Sequence, residues 1–242
     1  MKKIAFLNGN MLKFIATAAM VVDHIGVIFF PDLLVLRMIG RLSFPIFAFM
    51  ISEGCKYTRN RLRYFLTMAI LALSFQAVYF FALGSIEMSI FVTFSFSIIL
   101  IYALDHLKKA IFADLSFPKL LLSALPLFVG LLTVFILNLF FDLDYNFTGC
   151  MVPVIASVFH KTPNSPEAFN RLDNNYTKLI ALSVGLLCLA IANTPIQYLS
   201  FLTIPLLLLY SGKRGNKNLK YFFYVFYPAH LVILYGISIF IK

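Results

Sequence analysis

Asp23 and His24 lie within the apolar sequence Met20-Val-Val-Asp-His-Ile-Gly-Val-Ile-Phe-Phe30, and Arg37 and Arg41 follow just downstream. Ionisable groups in a stretch apolar enough to cross a bilayer are costly and usually mark chemistry or transport. His24 has an ordinary pKa near neutrality, so it can accept and return a proton, which suits a general base. Adjacent side chains on a helix point about 100° apart, so Asp23 is placed as well to orient a neighbouring helix as to contact His24. Arg37 and Arg41 are four residues apart and share a helix face. Their forked donors suit a carboxylate or a developing oxyanion in a dry site. The alternative is structural, with Arg37 reaching the outer surface and Arg41 pairing with Asp23 as an interhelical strut.

Lys13 precedes His24 by eleven residues, close to three helical turns and about 16 Å along one face. That face joins the cytoplasmic edge of the first helix to a buried imidazole. It suits a ligand whose anionic head stays at the surface while a long arm enters the protein, as in an acyl-coenzyme A. Two further basic clusters, Lys56, Arg59 and Arg63 after Ser52-Glu53-Gly54, and Lys213, Arg214 and Lys217, have two readings: they grip the phosphates of that ligand, or they hold the chain in orientation. Glu53, Tyr227 and His230 form a second set of candidates, with Pro228 providing a kink able to open a cavity beside His230. For His230 the competing reading is a structural histidine. His106 and His160 are assigned to helix ends, where imidazole complements the dipole, and not to a site.

The elements that position these residues are membrane helices. With 61% hydrophobic and 12% charged residues and a mean hydropathy of +0.91 over 242 residues, the chain reads as an all-α polytopic bundle, taken as one domain over 1–242. Long unbroken apolar runs argue against a barrel, and only helices satisfy their own backbone in lipid. Nine runs approach the ~20 residues a span needs, at about 12–31, 35–54, 64–84, 86–104, 118–141, 147–160, 178–193, 195–211 and 220–241. The sixth is short and carries Gly149 and Pro153. Loop charge tests this segmentation, since Lys and Arg collect on the cytoplasmic side. The N-terminus holds Lys2, Lys3 and Lys13, and the even-numbered connections hold the rest of the loop cations, including Lys108, Lys109, Lys119, Lys161, Arg171 and Lys178. The odd-numbered connections have Asp32, Glu87, Asp142 and Asp144. The N-terminus is therefore expected in the cytoplasm, with the first apolar run retained as a helix and the sixth segment crossing fully.

Several classes fall away. The net charge of +10 is spread through short inter-helix clusters and not over a polar domain, so nucleic acid is not an expected partner. Cys55, Cys150 and Cys188 are too scattered for a disulfide framework or a zinc site. Walker, His-Glu-x-x-His and dinucleotide-binding motifs are missing, which removes ATP hydrolysis and zinc proteolysis, and no metal is expected.

The blocks Asp23-His-Ile-Gly26, Arg37-Met-Ile-Gly-Arg41-Leu-Ser-Phe-Pro45-Ile-Phe-Ala-Phe49, Glu53-Gly-Cys-Lys-Tyr57-Thr-Arg-Asn60, Tyr210-Ser-Gly-Lys-Arg-Gly215 and Tyr221-Phe-Phe-Tyr-Val-Phe-Tyr-Pro-Ala-His230-Leu resemble the TraX family, whose named member acetylates the N-terminus of conjugative pilin. That family is similar to the broad integral-membrane acyltransferases that modify cell-envelope molecules. Their pattern of a basic residue, ten intervening residues and a histidine is met by Lys13 and His24. Their paired-arginine motif is met loosely, since three residues and not two separate Arg37 from Arg41.

The resemblance implies an acyltransferase of the inner cell membrane with His24 essential and acetyl-CoA, or another acyl-CoA, entering from the cytoplasm. Pilin and envelope glycans or lipids are the acceptor candidates. The resulting assignment has His24, Arg41, Arg37 and Asp23 at the catalytic centre and Lys13, Lys56, Arg59, Arg63, Lys213 and Arg214 on the donor. A proton-coupled transporter or flippase using Asp23, His24 and Arg41 as a relay is the alternative.

Overall fold

The computed structural model describes residues 5–84, 88–215 and 219–241; Lys2, Lys3, Glu87 and Lys217 lie outside them. The regular elements are helical: α1 (Gly9–Phe29), α2 (Leu34–Gly40), α3 (Ser43–Tyr57), α4 (Arg61–Leu83), α5 (Ile90–Phe112), α6 (Phe117–Phe140), α7 (Asn146–Ala156), α8 (Glu167–Leu172), α9 (Asn175–Ala192), a 3-10 helix (Pro195–Leu202), α10 (Thr203–Leu208) and α11 (Lys220–Ile241). Among the described residues, seven helices are long and apolar enough to cross a membrane, counting α2 and α3 as one. The protein is a multi-pass membrane protein built as an all-α bundle.

The nine expected apolar runs are helical among the described residues, seven as long helices and two, the sixth and the eighth, as shorter ones with a local cause. The sixth run condenses to the 11 residues of α7, with Pro153 inside it, about 16 Å of helix against a hydrocarbon core of about 30 Å. The eighth becomes the 3-10 helix, which starts on Pro195, followed by the six residues of α10. The second run is broken after Gly40. Pro45 has no N–H to offer the carbonyl of Arg41 four residues back, and its ring crowds that carbonyl. The ladder therefore stops at Arg41, and Ser200 Oγ donates to the Arg41 carbonyl instead, at 3.4 Å.

Chain contacts divide the protein into two compact units, residues 1–50 with 193–242, and residues 51–192. In the first, α1 packs on α2 and α11. Its opening residues are stitched by backbone bonds to the segment before α11: Leu7 N–H to Leu209 O, Ser211 N–H to Leu7 O, Gly9 N–H to Lys213 O and Asn10 N–H to Arg214 O, all between 2.8 and 3.1 Å. Asn8 caps α1 by accepting from the N–H groups of Asn10 and Met11, satisfying donors that a helix start leaves open.

In the second unit, α5 is the central helix, contacting α4, α6 and α7. The short α7 is tolerated because protein surrounds it: Gly149, Cys150, Val152, Pro153 and Val154 are buried, and irregular backbone at membrane depth survives only under such cover. Thr93 Oγ1 donates to Asp144 O at 2.9 Å and Ser97 Oγ to Cys150 O at 2.8 Å, while Lys108 Nζ reaches the carbonyls of Ser157, Val158 and His160. Residues 144–160 thus run beside and parallel to α5 from Thr93 to Lys108, end to end in this unit. The charge pattern finds a counterpart here: Met88 pairs with Asp142 and Asp144 through backbone bonds at one end.

The opposite end holds a buried ion network. Lys178 Nζ contacts Glu53 Oε1 at 2.6 Å and Asp173 Oδ1 at 3.4 Å, Lys56 Nζ contacts Asp173 Oδ1 at 2.7 Å, and Asp105 is held by Arg61 at 2.8 Å and Lys108 at 3.0 Å. His160, in the connection after α7, is buried with its Nε2 3.3 Å from Ser52 Oγ. Burial, aided by the ammonium groups of Lys178, Lys56 and Lys108, pulls its imidazole down from 6.5 to about 3. Burial works to raise Asp173, but the hydrogen bonds from Lys56 and the Lys161 N–H outweigh it and hold the carboxyl below its ordinary value.

Two outcomes follow for the detergent-solubilised protein. Lys178→Met strands Glu53, while Asp173 keeps Lys56 and the Lys161 N–H; it costs about 3–5 kcal/mol, read as a lowered thermal unfolding midpoint, with Glu53→Gln added to the same chain recovering part of the loss. Acid also destabilises. His160 stays neutral when folded, so the unfolded chain takes up its proton first; its contribution is complete above 6.5 and declines as pH falls towards about 3, joined by Asp173 as pH drops through its depressed folded value. His160→Gln should flatten the fall in midpoint between about pH 7 and pH 5.

Candidate functional site

The first unit gathers six of the predicted residues, Asp23, His24, Arg37, Arg41, Tyr227 and His230, around the C-terminal half of α1. The Asp23 carboxylate is clamped by two guanidiniums: Arg37 Nη1 donates to Oδ2 at 3.1 Å, and Arg41 Nη2 donates to Oδ1 at 3.1 Å and Oδ2 at 3.4 Å. Arg41 Nε also donates to the Arg37 carbonyl at 3.3 Å. The side chains of Arg41 and Asp23 are 8% and 16% exposed, that of Arg37 33%. Two cations on one carboxylate leave a formal surplus of one positive charge in a low-dielectric setting, where it acts strongly on a nearby anion.

Sequence places these groups through small residues and a helix break. A Cβ at Gly40 would overlap the Asp23 carboxylate, and one at Gly26 would approach Leu36 Cβ to 2.8 Å and Arg37 N to 3.7 Å. The two glycines let α1 and α2 approach backbone to backbone, as small residues do in membrane bundles. Neither is legible as a site residue by its chemistry, and both were missed; the signal available is their occurrence in the same blocks as Asp23 and Arg41. The Pro45 break then turns Arg41 out of a continuous helix at the level of Asp23.

His24 faces the last helix. Its Nδ1 is 2.9 Å from Nε2 of His230, and His230 Nδ1 is 3.2 Å from the Phe226 carbonyl one turn back. The ring of His230 is stacked on Phe226 at 5.6 Å and meets Tyr227 edge-on at 5.5 Å, while Tyr227 in turn packs edge-on against Phe47 of α3. His230 is buried, 6% exposed. The two imidazoles, 206 residues apart in sequence, thus form one unit, which spacing alone had left as two separate candidates.

Lys13 also faces α11, its ammonium 5.9 Å above the Phe223 ring. Lys13 with Phe223 and His24 with His230 show α1 and α11 running parallel, with the basic residue and the histidine on one face of α1. The backbone stitch places Lys213 and Arg214, both exposed, at the start of α1 and on the same end as Lys13. Lys56, Arg59, Arg63 and Glu53 belong to the second unit. There Lys56 is occupied by Asp173 and Glu53 by Lys178, whereas Arg59 and Arg63 are exposed on either side of the α4 cap. Among the described residues no group of three or more His, Cys, Asp or Glu is arranged to hold a metal ion.

The family model described as TraX protein matches residues 8–238, from the Asn8 cap to near the end of α11. The chain belongs to the TraX family. The match takes in both histidines, the Asp23 clamp and the stitched segment 209–214. The chain is also similar to the uncharacterized protein RP591 of Rickettsia prowazekii (strain Madrid E), 45% identical over 40 residues, which is 16% of this chain and 16% of that protein. No solved structure matches.

The close approach at Gly40 gives a test of this geometry. Ala is the better helix former by about 1 kcal/mol, yet Gly40→Ala should destabilise the protein by about 1–3 kcal/mol, because the new methyl displaces the Asp23 carboxylate from its arginines. The midpoint of thermal unfolding should fall; an unchanged or higher midpoint contradicts the packing of α1 on α2.

Proposed function

We propose that this TraX-family protein is an integral-membrane acyltransferase that moves an acetyl group from acetyl-CoA, or a related acyl-CoA, to an amine or hydroxyl of a pilin or other envelope acceptor. The observation that carries the reading is a histidine with its partner imidazole beside a clamped pair of arginines at membrane depth. Membership of a family whose named member acetylates pilin supports it, as does the resemblance of the Lys13 and His24 spacing to membrane acyltransferases.

In this reading the phosphates of coenzyme A sit near Lys13, Lys213 and Arg214 at the start of α1, and the pantetheine arm runs along α1 for about 16 Å to His24. The acceptor nitrogen or oxygen attacks the thioester carbonyl carbon while His24 takes its proton. The carbonyl oxygen gains negative charge in the tetrahedral state, where the surplus positive charge of Arg37 and Arg41 stabilises it. The carbon–sulfur bond then breaks, and the departing thiolate recovers the proton from His24, giving acylated acceptor and free coenzyme A. Asp23 keeps the guanidiniums in place. The Asp23 oxygens are engaged by two arginines, which speaks against the alternative of a mobile proton relay through Asp23.

Purified protein should transfer labelled acetyl from acetyl-CoA to an envelope fraction, and His24→Ala should abolish transfer while unfolding at a normal temperature. Undiminished transfer by that variant removes His24 from the mechanism. Replacing Lys213 and Arg214 together by Ala should raise KM for acetyl-CoA several-fold with kcat little changed, because charges at the far end of the donor bind ground and transition states alike.

A further inference from the structure

We propose that His230 is a positioning residue that sets the tautomer of His24, leaving the Nε2 lone pair of His24 as the base; this rests on the acyltransferase reading for its catalytic consequence, but not for its geometry. The argument starts at the far end of the chain of contacts. A carbonyl oxygen only accepts, so the ring nitrogen of His230 that lies 3.2 Å from the Phe226 carbonyl, Nδ1, carries the hydrogen. A neutral imidazole has one N–H, and His230, 6% exposed and stacked against Phe226, sits where a charged ring would be poorly solvated. Its Nε2 is therefore an acceptor. The atom 2.9 Å from it, His24 Nδ1, must then be the donor, and the remaining nitrogen of His24, Nε2, holds an unshared pair.

The order Phe226 carbonyl, His230, His24 does for this histidine what a buried carboxylate does for the histidine of a hydrolase triad: it selects the tautomer and the ring orientation. When His24 Nε2 takes the acceptor's proton, His24 becomes an imidazolium whose Nδ1–H still donates to His230. That hydrogen bond becomes charge-assisted only at this stage. It is stronger in the transition state than in the ground state, which is the requirement for accelerating the reaction. The Phe226 carbonyl, with its negative end towards the pair, acts in the same direction through His230.

The test separates tautomer from turnover. In protein labelled with 15N in its four histidines, with the His24 signals assigned by their loss in His24→Ala, the expected spectrum has His24 protonated at Nδ1 and bare at Nε2 without any substrate present. His230→Gln keeps an acceptor oxygen for His24 Nδ1–H and should preserve that tautomer and acetyl transfer within about tenfold. His230→Phe fills the space without an acceptor; it should mix the tautomers and lower kcat by about 10²-fold or more, with KM for acetyl-CoA within about twofold. Finding His24 protonated at Nε2 in the unsubstituted protein, or equal kcat for the Gln and Phe variants, overturns the proposal. If the protein transfers no acetyl group, the spectra of the three chains decide the tautomer assignment by themselves, and only the acyltransferase reading is lost.

Discussion

One ionised carboxylate at membrane depth governs the arrangement of the first unit. An isolated Asp23 would be heavily penalised there, and the fold answers with two guanidiniums on α2 and the turn that follows it. Nearly every local peculiarity serves that clamp. Gly26 and Gly40 remove the side chains that would hold the helices apart. Pro45 ends the ladder at Arg41, so that the arginine leaves the line of α2, and Ser200 supplies the hydrogen bond that the interrupted carbonyl lacks. The residues look unrelated in a list; in space they answer a single electrostatic demand.

The two units treat buried charge in contrasting ways. In the second, Glu53, Asp105 and Asp173 are each matched by Lys or Arg within 2.8 Å, and the nearby imidazole is kept neutral. Four cations, Lys56, Arg61, Lys108 and Lys178, share those three carboxylates, and the network ties α3, α4, α5 and α9 together. In the first, two cations share one anion, and a neutral pair of histidines lies one residue beyond it.

The sequence made the membrane class, most spans, the Asp23–Arg41 pairing as one of two readings, and the Lys13–His24 face legible, because each depends on hydropathy or on helical repeat within one segment. Within each unit the loop cations gather at one end, Lys13 with Lys213 and Arg214 in the first and Lys56, Lys108 and Lys178 in the second. Less legible was anything that depends on two segments meeting. His230 was a lone histidine until α11 came to lie parallel to α1, and His160 read as a helix-end residue although it is buried beside Ser52 and Glu53. Lys56 had two readings, phosphate ligand or orienting charge, and its ion pair with Asp173 was in neither. The shortening of the sixth and eighth runs was foreshadowed by Gly149, Pro153 and Pro195, whereas the break at Arg41 required knowing that Pro45 follows it at the one spacing that silences its carbonyl.

The pairing of His24 with His230 spans 206 residues, nearly the whole chain, and this has a consequence for biogenesis. As the protein emerges from the ribosome, Asp23 meets its counter-charges within 18 residues, so the costly anion is neutralised while the first hairpin is entering the bilayer. His24 can wait, since a neutral imidazole needs no ion partner. Its partner and the strand-like stitch of Leu7 to residues 209–211 arrive only with the final helix. The Asp23 clamp is therefore local to the first hairpin while the histidine pair depends on the last helix, and a chain cut short before α11 retains the first without the second.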